Sequence, residues 1–274
     1  MRSARPQAPG AHVYSGVAED PKPTLMLERK TTILLHLTLT AIVAAVVVAV
    51  IFVLWYPAPY FAVSGVRDVL LMLLGVHLVV GPLLTLYLYK PGKKGLWFDM
   101  VCVVVMQVAA LGYGGLVIYE QRPLFVVFSV DRFAVLPEAD LVHDGSPIAA
   151  CADTTRAPCL AVAVRPEDTE LRNTLLVRSL EQGIELEQQP EFWQPLSAER
   201  EAVLDKAQRL EALAQKSEAA AQGVSLVLTD SGRNADSLRW VPVVNKRLQS
   251  FALVIDAASA VPVDVVAVDP WGGQ

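Results

Sequence analysis

Three stretches free of Asp, Glu, Lys and Arg fill most of the first half of the chain: Leu34 to Trp55, Val69 to Tyr89 and Met100 to Tyr119. Each runs about 20 residues, so as a helix each reaches roughly 30 Å, the hydrocarbon thickness of a bilayer. Lipid offers a backbone amide no hydrogen-bond partner, so a segment crossing it must be helical. Burying three such helices in a soluble protein would need a very large surrounding core, which 274 residues do not supply.

Charge splits the chain in two. Residues 1–120 carry 9 Lys/Arg against 6 Asp/Glu, while residues 121–274 carry 14 against 22, a net of −8. An acidic second half excludes nucleic acid as a partner, since that needs a clustered basic surface. The short connections set the orientation. Arg29 and Lys30 precede the first apolar run, and Lys90, Lys93 and Lys94 lie between the second and third. Only Arg67 and Arg122 lie on the other side. Positive residues stay cytoplasmic, which predicts a multi-pass protein of the bacterial inner membrane with a cytoplasmic amino terminus and a periplasmic second half. Trp55, Tyr56, Tyr60 and Tyr119 then mark the outer interface, and Tyr87, Tyr89, Trp97 and Phe98 the inner one. The expected fold class is an α+β membrane protein, with three transmembrane helices followed by a small periplasmic α+β domain. The expected domains are a disordered head over residues 1–25, a three-helix membrane domain over 26–120 and the α+β domain over 121–274. Met26-Leu27-Glu28-Arg29-Lys30 reads as a natural start, which leaves Met1 and Met26 as rival start codons.

An exported location permits disulfides, and Cys151 and Cys159 lie eight residues apart in that half. They form a candidate bridge. Cys102, inside the third run, reads as a small apolar packing residue. Within the apolar runs, His36, His77 and Gln107 are candidate interhelical polar contacts. The pairs Ala45/Ala49 and Ala110/Gly114 are small residues suited to close helix approach, and Gly81-Pro82 should kink the second run. No nucleophile elbow, His-x-x-x-His pair or Walker loop occurs. His143 stands alone near Asp140 and Asp144. No catalytic, cofactor or metal site is therefore expected, and the chain reads as a binding protein rather than an enzyme.

In the second half, Pro123 to Val130 and Phe133 to Leu136 are β-branched and aromatic strand runs. Residues 137–196 give little to place. Ser197 to Gln222 predicts one helix, with Val203, Ala207, Leu210 and Ala214 on its apolar face and Gly223 at its end. The apolar runs Val224 to Leu228 and Trp240 to Val244 follow. A hairpin over Ser250–Ile255 and Val261–Val268 closes the unit.

Several segments together resemble a known family. Gly81-Pro82-Leu83-Leu84-Thr85 is followed by Lys90-Pro91-Gly92-Lys93-Lys94-Gly95-Leu96-Trp97-Phe98-Asp99, then by Tyr119-Glu120-Gln121-Arg122-Pro123 and by Phe128-Ser129-Val130-Asp131-Arg132-Phe133. These stretches, with Asp269-Pro270-Trp271 near the end, resemble type IV pilin accessory proteins of the TfpX/TfpZ type. The likeness covers about residues 26–141 well, and residues 142–240 in general character only. It implies a chaperone-like inner-membrane protein assisting assembly of its cognate type IV pilin. The implied partners are that major pilin subunit, other pilus-assembly proteins and membrane lipid. The alternative reading is a membrane sensor or regulator with a periplasmic ligand-binding domain.

Overall fold

The computed structural model describes residues 29–90, 92–155 and 157–271. The expected disordered head over residues 1–25 and the choice of start codon lie outside the described residues.

Helix α1 (Arg29–Val50) continues through a wide turn at Ile51–Trp55, and a short helix, α2 (Tyr60–Ser64), follows it. Then α3 (Arg67–Gly75), a π turn at Val76–Val80 and α4 (Gly81–Leu88) run end to end, and α5 (Leu96–Glu120) completes the set. The three continuous helices Lys30–Trp55, Arg67–Leu88 and Leu96–Glu120 are each long and apolar enough to cross a membrane. The bend expected at Gly81-Pro82 takes the form of the π turn just before it. Pro82 has no N–H and its ring crowds the carbonyl four residues back, and a widened turn relieves both.

The helix contacts correct two sequence expectations. Ala45 and Ala49 are exposed, and α1 instead buries Thr40 and Ala44, with Ile51 buried in the wide turn that follows. Cys102 is exposed as well, because the contact face of α5 runs through Val103, Gln107, Gly114 and Ile118. A helix turns about 100° per residue, so a one-position offset carries a side chain out of the contact. Gly114 does lie in a contact, since a Cβ there would come 2.7 Å from Leu73 Cδ1.

The second half is built on an eight-stranded mixed sheet. In chain order its elements are β1 (Phe125–Ser129), β2 (Arg132–Leu136), β3 (Cys159–Ala163), α6 (Thr169–Gln182), β4 (Trp193–Pro195) and α7 (Arg200–Lys206). They continue with β5 (Gln208–Arg209), α8 (Leu210–Ala214), α9 (Glu218–Ser231), β6 (Leu238–Val244), β7 (Ser250–Asp256) and β8 (Pro262–Val266). The spatial order is β4-β3-β1-β2-β6-β7-β8, with β5 paired to β6. The pairs β1–β3 and β2–β6 are parallel, and the others are antiparallel. Side chains alternate across a strand, so both faces acquire apolar layers. Phe128, Phe133, Val162, Val243 and Leu253 form one layer, joined by Val203 of α7. On the opposite face, Trp240, Ala252 and Val254 lie under α8 and α9. The rest of that face, with Val127, Ala161 and Trp193, lies under the segments around Ile148 and Leu186.

Ser197 to Gln222 is not one helix. Val203 packs on one face of the sheet, whereas Leu210 and Leu213 pack on the other with Trp240. No continuous helix reaches both, so the chain crosses the sheet plane through β5, which pairs Gln208 with Trp240 and Arg209 with Arg239. A new helix then starts at Ser217, whose side chain accepts from Ala220 N–H. Gly223 ends nothing and lies inside α9, as does the apolar run Val224–Leu228. Its role is close approach, because a Cβ at Gly223 would sit 2.4 Å from Val266 Cγ1. Residues 137–196, unplaced from sequence, supply β3, α6 and β4.

Candidate functional site

The three apolar helices meet around a chain of polar side chains. His36 Nε2 lies 3.0 Å from Gln107 Oε1, and its Nδ1 lies 2.6 Å from Thr85 Oγ1. One neutral tautomer satisfies both contacts: Nε2–H donates to the amide oxygen, and Nδ1 accepts from the hydroxyl. The Thr40 hydroxyl donates to His36 O at 2.8 Å. The His77 ring lies between Leu73 O on its own helix and Gln107 O on α5, at 3.1 Å from each. Gly81 makes room for this meeting, since a Cβ there would fall 1.7 Å from Gln107 Nε2. The three residues singled out from sequence thus come together in one cluster, which Thr40 and Thr85 complete. The cluster contains no carboxylate and no cysteine. Its chemistry is that of an interhelical lock, with each bond worth on the order of 0.5–2 kcal/mol in lipid.

The second feature is the junction between these helices and the sheet. Tyr60 and Val63 of α2 are buried in the sheet layer with Phe133 and Leu253. Burial pushes the Tyr60 phenol above its usual value of 10.0. Asn245, at the end of β6, donates from Nδ2 to Val63 O at 2.9 Å and so occupies a carbonyl in the last turn of α2. Its Oδ1 accepts from the N–H groups of Arg247 and Gln249 at 2.9 and 3.0 Å. Arg247 reaches Asp68 at the start of α3 at 2.8 Å. At the other side, the Tyr56 hydroxyl donates to Ile118 O at 2.7 Å. The segment joining the first two apolar helices therefore shares packed core and one buried hydrogen bond with the sheet, while Tyr56 ties the first and third helices to each other beside it, and the connection is more than a tether. Sequence reading missed Asn245 and α2. A five-residue helix has too few turns for periodicity to register, and an Asn in a turn is unremarkable.

Cys151 and Cys159 are joined by a disulfide, with Cα atoms 5.7 Å apart, at the start of β3. His143 accepts from Gly145 N–H at 3.1 Å and belongs to its own local turn. Among the described residues no group of His, Cys, Asp or Glu could hold a metal ion.

Comparison with known proteins follows the same lines. The family model for the fimbrial assembly protein FimB matches residues 26–65, the stretch that carries α1 and α2. A fimbrial assembly protein of serogroup I from Dichelobacter nodosus is 29% identical over 228 residues, covering 81% of this chain and 88% of the relative. A second from that organism, of serogroups C1 and C2, is 35% identical over 115 residues, covering 41% of this chain and 88% of the relative. The chain belongs to the FimB family of fimbrial assembly proteins. No solved structure matches it. The resemblance to type IV pilin accessory proteins agrees with this membership. The family model overlaps the helix that docks on the sheet, so the junction around Val63 lies within the family's own segment.

Proposed function

We propose that this chain is a non-enzymatic inner-membrane accessory protein that holds its cognate type IV pilin during assembly into pili. In this reading Lys30–Trp55, Arg67–Leu88 and Leu96–Glu120 cross the inner membrane, the amino terminus is cytoplasmic, and the sheet domain is periplasmic. The observation that carries it is the junction. A pilin waiting in the inner membrane offers an apolar helix in lipid and a globular head outside it. A partner whose helices and sheet form one packed body holds both parts in a fixed relation. The outer faces of the apolar helices are available for such a contact: Ala45, Ala49, Val46 and Val53 on α1 and its extension are all exposed. Small residues beside larger apolar ones suit helix association in lipid.

Topology and function are tested separately. Alkaline phosphatase fused after Gln274 should be active and fused at Gly92 inactive; the opposite pattern overturns the orientation. A clean deletion should reduce surface pili while whole-cell pilin stays constant. Normal piliation in that deletion, with no related accessory gene present, removes the assembly role.

A further inference from the structure

A cleft of about 450 Å³ opens between α6 and the turn joining β1 to β2. Its walls carry three arginines, Arg132, Arg165 and Arg172, two carboxylates, Glu185 and Glu187, and an apolar rim that includes Val130 and Leu176. Arg132 is neutralised by Asp131 at 3.6 Å and the buried Glu187 at 3.8 Å, and Glu185 accepts from the Ser179 hydroxyl at 2.9 Å. Arg172 donates to the neutral Thr169 hydroxyl at 3.0 Å. Among the described residues, neither Arg165 nor Arg172 makes an ion pair. Two guanidinium groups without a carboxylate partner, Arg165 and Arg172, stand out in a half whose net charge is −8.

The helix beside the cleft is also under-used. Of its residues only Leu175 is buried, while Leu176, Val177 and Leu180 are exposed, the last at 77%. The turn opposite holds a second oddity. Val130 has φ +60° and is 57% exposed. That backbone region is the natural place for glycine, and a β-branched residue there is strained. A strained valine presented to solvent at the mouth of an apolar cleft serves contact better than folding.

We propose that this cleft docks an exposed segment of the pilin head in which carboxylates flank a large apolar side chain. The inference rests on the reading that pilin is the partner. The Arg165 and Arg172 guanidinium groups pair with its carboxylates, and the apolar rim between Val130 and Leu176 takes the apolar group. Lipid is the wrong occupant. The cleft lies at the Ser129 end of β1, and α5 joins β1 at the Phe125 end. Asn245, which touches the helix junction, follows the corresponding end of β6. A second copy is the wrong occupant too. A two-fold contact of cleft on cleft sets the arginines of one copy against those of the other.

The test uses full-length protein in pilin-producing cells, with a benzophenone amino acid at Leu176, at the exposed Val46 and Val105 in the apolar helices and, as a control, at the exposed Leu226 on α9. Pilin adducts should form at Leu176 and not at Leu226. The double change Arg165→Glu and Arg172→Glu should cut the Leu176 adduct at least tenfold, and the double change to Lys should keep most of it. Equal adducts at Leu176 and Leu226 overturn the proposal. So do adducts of Leu176 with lipid or a second copy, or a yield indifferent to charge reversal. Pilin adducts only at probes in the apolar helices overturn it while leaving the pilin reading intact. No pilin adduct at any probe overturns both.

Discussion

Replacing Asn245 by Ala weakens the joint between the helices and the sheet without touching the apolar core. Its side chain makes one fully buried contact, to Val63 O, and accepts two backbone N–H groups in the turn after β6. Removing the amide leaves a buried carbonyl at the end of α2 with no donor, at a cost of about 1–3 kcal/mol. The Arg247 and Gln249 N–H groups are part-buried and can recover some hydration, so they add about 0.5–1.5 kcal/mol each. The sum centres on about 4 kcal/mol, which for a domain of this size lowers Tm by about 8–16 °C. Near-ultraviolet circular dichroism of the full chain in detergent reports it through the buried Trp193 and Trp240. Hydrogen exchange should speed up in α2 and in the turn after β6, and not in α9. Asn245→Asp keeps the oxygens for the two N–H groups but sets a carboxylate against Val63 O, so it should be destabilised at pH 7 and recover as the acid protonates and regains a donor. A Tm for Asn245→Ala within about 1 °C of the parent would refute the claim that this residue ties the two halves together.

Gly223→Ala gains helix propensity of about 1 kcal/mol but drives a methyl to within 2.4 Å of Val266 Cγ1, so a net loss near 1 kcal/mol is expected. Val266→Ala in the same chain should remove the penalty, and denaturant midpoints read both. Val130→Gly relieves the left-handed strain and should raise Tm by a few degrees while lowering pilin crosslinking at Leu176. Asp256 accepts from the N–H groups of Ser259 and Ala258 and pairs with Arg233, which hold its carboxyl below the usual 3.8. Its folded-state value is depressed, so its contribution is present at neutral pH and lost as pH falls below about 4; Asp256→Asn should flatten the acid limb of a stability–pH curve in that window. Thiol labelling of denatured, unreduced protein should modify Cys102 alone, and labelling of Cys151 and Cys159 as well would remove the bridge.

Local patterns told a good deal. The three apolar helices were legible because a charge-free run of about 20 residues leaves the backbone one solution in lipid. The strands β1 and β2 and the hairpin β7–β8 were legible because β-branched runs broken by turn residues need no distant partner to be recognised. The polar residues in the helices were visible as candidates, since a polar side chain in an apolar run demands a partner. Which atoms met, and that Thr85 and Thr40 joined them, required the packed helices.

The failures share one cause. Ser197 to Gln222 has good helix formers and an apolar stripe, yet the stripe serves two faces of one sheet, so the chain breaks at β5 to cross it. Gly223 looks like a terminator, and only the nearness of Val266 reveals a close contact instead. α6 has no clean stripe because a single leucine faces the body, so periodicity gave no signal where the cleft lies. The sequence by itself determined which segments suit a bilayer and which suit strands, because those choices depend on neighbours within a few residues. The tertiary structure decided that α2 enters the sheet core, that Asn245 fastens it there, and that three arginines gather at one rim. Each of these joins residues far apart along the chain, and only packing settles such contacts.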